Sequence, residues 1–288
     1  QCDIAVEVCG TTADITYLEP TNLALIAVNT ENSLAPQEEF TMIIFKDLKV
    51  GTSLEFTDNG YGRYYPDKWG TTEGTMRLTR IGNGTLNKGT SITVVMTAAE
   101  GFSGVSETHF DIFVNGVDEL DLGYWSITML NTTNGSGFNM NASDDIWIMQ
   151  GGDWLENTTS GSTNEKQDDT YTGNVLYGWT ATGWPGNDGF GTTAYSLLYP
   201  NTDCFTTSLQ GIADSSKVRY IGPTTPATKL EWIARIGDTL NWTGYSSDAN
   251  YEAATPNYRQ DGVVWSILSA VPNDGIWTGT RSNDWFDC

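Results

Sequence analysis

The segment from Phe40 to Gly60, FTMIIFKDLKVGTSLEFTDNG, most narrows what this chain can fold into. Met42-Ile43-Ile44-Phe45 is a short, continuous, β-branched apolar run, which suits a strand buried on both faces. Lys46 to Gly51 turns the chain, and Thr52 to Thr57 then alternates. Leu54 and Phe56 share one face of that strand, and Ser53, Glu55 and Thr57 the other. Asp58-Asn59-Gly60 ends it with residues that tolerate positive φ. Strand, turn, strand, turn is the nucleus of a sheet.

The rest of the chain follows the same pattern. Strands are expected at residues 22–29, 75–80, 91–97, 110–114, 125–130, 145–150, 175–180, 217–221, 230–236 and 263–268, with weaker alternation over 2–17. Residues 151–173 are rich in Thr, Ser, Asn, Gly and Asp and read as a long surface loop. Leu48-Lys49-Val50-Gly51-Thr52-Ser53 and Leu86-Asn87-Lys88-Gly89-Thr90-Ser91 share Leu, Gly, Thr and Ser, which suggests one turn chemistry used twice. No window gives an amphipathic helix longer than about two turns. The expected fold is therefore all-β, an antiparallel sandwich with long loops and little helix. Ile43, Phe45, Leu54, Phe56, Val94, Ile146, Ile148 and Ile267 are the expected core, together with Trp147, Trp232 and Trp265.

Charge excludes some functions. Lys+Arg total 14 against 36 Asp+Glu, a formal net charge of −22, so nucleic acid and anionic membranes are disfavoured partners. The acidic residues read mainly as a solvated exterior. No apolar run is long enough to span a membrane, and no charged-then-apolar leader opens the sequence, which reads as a mature chain. Cys2, Cys9, Cys204 and Cys288 form no CxxC pair, and one histidine offers a zinc site too few partners. Two disulfides of open connectivity, and hence an oxidising compartment, are the expectation. Glycosylation sequons stand at Asn83, Asn131, Asn134, Asn141, Asn157 and Asn241.

Catalytic chemistry is sparse. His109 would have to serve any Ser-His-Asp site, yet no G-x-S-x-G elbow exists. The acid pairs Asp144-Asp145 and Asp168-Asp169 read as solvated surface rather than glycosidase carboxylates. Turns at Asp58-Asn59-Gly60, Asn187-Asp188-Gly189, Asp261-Gly262 and Asn273-Asp274-Gly275 offer oxygens to Ca²⁺, although turn formation alone explains them. Aromatics are the clearer excess. Tyr61, Tyr64, Tyr65, Trp69, Trp154, Trp179 and Trp184 lie in or beside Gly-rich loops, and Trp277, Trp285 and Phe286 lie in the tail. They are candidates for protein interfaces or sugar stacking, or they fold back to cap the sandwich.

Several of these segments resemble lamin-tail-like domains of secreted and surface proteins. The likeness runs through residues 22–29, 40–45 and 47–60 with its Thr57-Asp58-Asn59-Gly60, then Glu73-Gly74 to Thr79, 86–95, 141–151 and Asn241-Trp242. Tyr61 after the glycine, and Lys49-Val50 where Pro-Ala is usual, depart from the pattern. The resemblance covers residues 22–268 and implies an immunoglobulin-like sandwich, an extracellular or cell-surface setting, and structural or adhesive roles. It transfers no catalytic residue.

Residues 1–21 then form an arm carrying two cysteines, 22–268 the sandwich, and 269–288 a tail ending in Cys288. The functional expectation is a non-enzymatic structural or adhesive surface subunit that self-assembles into filaments, a terminal segment docking on the next copy. The alternative is a carbohydrate-binding module using the loop aromatics, with or without Ca²⁺.

Overall fold

Apolar runs bounded by Gly, Asn and Asp turns become strands along the described chain. The computed structural model describes residues 15–30, 34, 38–62, 67–71, 73–98, 105–131, 138, 140, 144–156, 169–184, 196–200 and 205–269. Its strands are β1 (Leu23–Asn29), β2 (Glu38–Ile44), β3 (Ser53–Thr57), β4 (Thr75–Arg80), β5 (Ser91–Met96), β6 (Phe110–Val114), β7 (Val117–Asp118), β8 (Trp125–Met129) and β9 (Asp145–Gln150). They continue as β10 (Trp154–Leu155), β11 (Thr170–Tyr171), β12 (Asn174–Thr180), β13 (Thr206–Ser208), β14 (Lys217–Tyr220), β15 (Ala227–Thr228), β16 (Trp242–Gly244) and β17 (Ile267–Leu268). Helices α1 (Lys229–Gly237), α2 (Asp248–Ala253) and α3 (Tyr258–Asp261) lie near the C-terminal end of the described chain.

Two sheets form the body, with strand orders β16-β14-β1-β2-β5-β6-β7 and β13-β12-β9-β3-β4-β8. Every pairing within them is antiparallel except β12 with β13. One continuous apolar cluster draws side chains from both sheets, and Phe40 of β2 meets Phe56 of β3 at a ring separation of 5.3 Å. The expected all-β sandwich is the fold observed. Ile43, Phe45, Leu54, Phe56, Val94, Ile146 and Ile148 are buried in it, and Ile267 packs half-buried against it.

The twin turns lock one end of the sandwich. Leu48 and Leu86 exchange backbone hydrogen bonds of 2.8 and 2.9 Å, so the turn feeding β3 in one sheet pairs with the turn feeding β5 in the other. Gly51 and Gly89 sit at φ 88° and 90°, which a Cβ would strain. At Gly89 a Cβ would also lie 2.0 Å from the Trp265 carbonyl oxygen. The described part of the N-terminal arm is tied to the same region. Thr16 N–H donates to Thr52 Oγ1 at 2.9 Å, and Gln150 Nε2 donates to the Thr16 carbonyl at 2.9 Å.

Two expected strands are corrected. Residues 230–236 are helical, within the nine-residue α1. Thr228 and Glu231 form a capping box, and Trp232 and Ile236, four apart, turn one face to the core. Local capping and the i,i+4 pair outweigh the β-branched residues there. Residues 263–268 yield only β17 and a single bridge from Val264 to Thr90. Trp265 instead stacks on Trp232, with rings 4.3 Å apart and 11° from parallel.

Buried charge fastens the C-terminal helices over the first sheet. Arg259 of α3 donates to Glu39 of β2 at 2.8 Å and to Glu252 at 2.6 Å. Tyr251 Oη donates to the other Glu39 oxygen at 2.9 Å, and the Arg219 guanidinium lies 3.9 Å over the Tyr251 ring. Burial pushes the Glu39 carboxyl up, and Arg259 pulls it back down.

Candidate functional site

The Thr57-Asp58-Asn59-Gly60 motif is wholly buried and committed to one loop. Thr57 Oγ1 donates to the Gly74 carbonyl at 2.8 Å, and Asp58 Oδ1 accepts the Gly74 N–H at 2.8 Å. Asn59 Oδ1 accepts the Glu73 N–H at 3.1 Å. These side chains fix the entry to β4 and aim the following chain across the outer face of the second sheet. There Gly60 and Gly70 join through a 2.8 Å backbone hydrogen bond, and Tyr61 bridges to Trp69.

That outer face carries a second apolar cluster. Along β9 the pleat sends Ile146 and Ile148 inward, and Trp147 and Met149 outward. Trp147 lies across Gly178 of β12, where a Cβ would come within 2.5 Å of the indole ring. Tyr61, Trp69, Trp154 and Val175 pack around it, with Tyr171, Trp184 and Tyr199 half-buried at the margin. Trp69 stacks on Tyr199 at 5.8 Å and 19°, and Trp184 lies 4.8 Å from Trp147. The indole N–H groups are satisfied: Trp154 donates to Asp169 at 3.0 Å and Trp147 to Ser196 Oγ at 3.0 Å.

Asp145 sits under this layer beside Thr180. Desolvation pushes its carboxyl up to about 8, opposed by the nearby Thr180 hydroxyl and by the hydrogen bond from the Ser196 amide. Oδ2 accepts the Ser196 N–H at 2.7 Å, and Oδ1 has no partner among the described residues. At neutral pH this group is a neutral, buried acid. Ser196 is equally engaged, accepting from Tyr61 N–H at 2.9 Å and donating to the Leu197 carbonyl at 2.8 Å. With its proton on a carbonyl oxygen, Ser196 meets no base among the described residues that would make it a nucleophile.

Of the readings open for the loop aromatics, folding back onto the sandwich describes four residues. Tyr61, Trp69 and Trp154 are buried in the outer layer, and Trp179 faces the main core, because the loops fold back onto apolar surface. Trp184 stays at the layer's margin, and Tyr64, Tyr65, Trp277, Trp285 and Phe286 lie outside the described residues. The solvated reading of the acid pairs is corrected. Asp144, Asp145 and Asp169 are each 1 % exposed, roofed by the same loops, while Asp168 lies outside the described residues.

Other candidates have local duties. His109 Nδ1 meets Ser106 Oγ at 3.0 Å within a single 3₁₀ turn. Asn83 is exposed, at φ 58°, and Asn241 is half-buried with Nδ2 on the Arg235 carbonyl at 2.9 Å. Asn131 is buried, and its Nδ2 donates to the Glu73 carbonyl at 2.9 Å. Asn134, Asn141, Asn157 and all four cysteines lie outside the described residues. So do the turns at Asn187 and Asn273, while Asp261 Oδ2 accepts the Asn257 N–H at 2.8 Å. Among the described residues no three His, Cys, Asp or Glu side chains gather as a metal site, and no helix is long and apolar enough to cross a membrane.

Sequence reasoning missed Ser196, the Gly178 seat of Trp147, and the Glu39–Arg259 pair. Only Gly178, a glycine inside a strand run, left a local signal, since such glycines mark close approach. Comparison with protein-family models, curated proteins and solved structures returns no match to this chain.

Proposed function

We propose that this chain is a non-catalytic structural or adhesive module of the extracellular surface, acting through its outer faces and edges, including contacts between copies. The observation that carries the proposal is the burial of Tyr61, Trp69 and Trp154 in the layer over the second sheet. Stacking on a sugar needs an open ring face. Rings already covered by their neighbours favour a scaffold over a carbohydrate-binding module. The buried acids Asp145 and Glu39 point the same way, each held in contacts that join distant parts of the fold. Lamin-tail-like kinship belongs to this proposal, supported by the scaffold duty of Thr57-Asp58-Asn59. The extracellular setting is supported by the cysteine count and the acidic composition.

Self-association has a candidate route at β8, the last strand of the second sheet. Tyr124 O and Leu130 N–H bond towards β4, so the alternating pattern turns the backbone groups of Trp125, Ile127 and Met129 to the open side. Glu107 takes the Met129 N–H at 3.2 Å, and among the described residues no strand pairs there. Such an edge is a template for a strand of another copy. Sedimentation velocity of the full chain over a concentration series tests this. Assembly that grows with concentration and weakens in Ser126→Lys/Thr128→Lys is expected. A strict monomer that binds a glycan array overturns the proposal in favour of sugar binding.

A further inference from the structure

A cleft of about 240 Å³ opens at the corner where α1 meets both sheets. Its floor is Leu23 and Ala24 of β1, Ile236 of α1, and the Tyr177–Thr207 hydroxyl pair, all buried. Phe205 and Ile233 stand half-exposed at the rim, with Ala234 and Gly237 exposed. Both strands that frame the corner are irregular beside it, β1 between Leu25 and Ala27, and β12 between Val175 and Tyr177. Bulges of this kind bend a strand away from its partner and recur next to binding sites. Protein interiors are close-packed as a rule, so an opening of this size at the core's edge is a candidate site.

We propose that this corner is a binding site for a small neutral molecule with an aromatic or short alkyl body and one hydrogen-bond-acceptor oxygen. Size sets the body, because a cavity of roughly 150 Å³ already holds benzene. A charged ligand is disfavoured by the wall, since among the described residues no Asp, Glu, Lys, Arg or His lines it. The acceptor follows from the hydroxyl pair. Tyr177 Oη donates to Thr207 Oγ1 at 2.5 Å, which leaves Thr207 to donate its own proton, and among the described residues no acceptor takes it. A ligand oxygen would complete that chain. Small side chains at the mouth keep it open: nothing lies within 4 Å of where a Cβ on Gly237 would sit, so no clash enforces the glycine.

Three probes of nearly equal size separate these elements on the full chain: acetophenone, ethylbenzene and benzoate, titrated by ligand-observed NMR. Acetophenone should bind saturably with a Kd on the order of 1 mM. Ethylbenzene, which leaves the Thr207 proton unpaired, should bind about fivefold more weakly, and benzoate should show no saturable binding. Ala234→Trp, at an exposed rim position, should weaken acetophenone by at least roughly tenfold. Gly237→Leu is the second blocking variant if circular dichroism shows that the first is misfolded. Thr207→Ser should keep the preference for acetophenone and Thr207→Val should erase it. Absent acetophenone binding, equal benzoate binding, or binding unchanged by both blocking variants overturns the proposal. Equal ethylbenzene binding overturns the role given to Thr207.

Discussion

Asp145→Asn should flatten the fall in stability that the buried carboxyl is expected to impose as pH rises. The folded carboxyl holds its proton up to about 8, against an ordinary 3.8 in the unfolded chain. Between those values the folded state binds one proton more than the unfolded state. The contribution is therefore fully present below pH 3.8 and is lost as pH climbs towards 8. At about 1.4 kcal/mol per pH unit, the window has a ceiling of about 6 kcal/mol. Relaxation around the newly charged carboxylate brings the expected loss to about 2–4 kcal/mol. The amide keeps the shape and retains an oxygen for the Ser196 N–H, but never has to ionise. Glu39 and Asp111 are also raised by burial, and both contribute equally to the two proteins. Urea denaturation of both proteins at several pH values between 5 and 9 isolates the Asp145 share. The variant should gain on the parent steadily with pH. Parallel curves would refute the buried, neutral Asp145.

Three further substitutions test the packing. Phe56→Ala, which removes a wholly buried ring facing Phe40, should cost about 3–5 kcal/mol in chemical denaturation. Gly178→Ala should cost about 1–3 kcal/mol by forcing its methyl into the Trp147 ring, with a change in near-ultraviolet circular dichroism as the indole shifts. Arg259→Met should destabilise by about 3–5 kcal/mol, because Glu39 stays buried after losing its 2.8 Å partner. Adding Glu39→Leu to it should recover part of that loss, as a double-mutant cycle would measure.

The strand framework was legible because side-chain period and turn chemistry are local. Leu54 and Phe56 announced β3, and the repeated Leu-x-x-Gly-Thr-Ser announced two matched turns that proved to face each other. The β9 run read as a strand with Ile146, Trp147 and Ile148 in the core, and it lies between the core and the outer layer. What covers an acid or an aromatic loop is not local. Asp145 meets Ser196 across 51 residues, and Glu39 meets Arg259 across 220, so neither burial was visible in its neighbourhood. Helix α1 was misread for a different reason. Leu230, Trp232 and Ile233 suggested a strand, although Thr228 and Glu231 already carried the capping-box signal of a helix.

The proposed scaffold role requires that Trp69 and Trp154 be spent on the outer layer rather than offered to a ligand. Hydroxyl-radical footprinting of the native full chain, read by peptide mass spectrometry, tests it most directly. Trp69, Trp147 and Trp154 should oxidise far more slowly than in the same chain unfolded in guanidinium, while Leu240, 86 % exposed, should label readily in both. Oxidation of Trp69 and Trp154 at the unfolded rate would mean open ring faces, and would contradict the scaffold role.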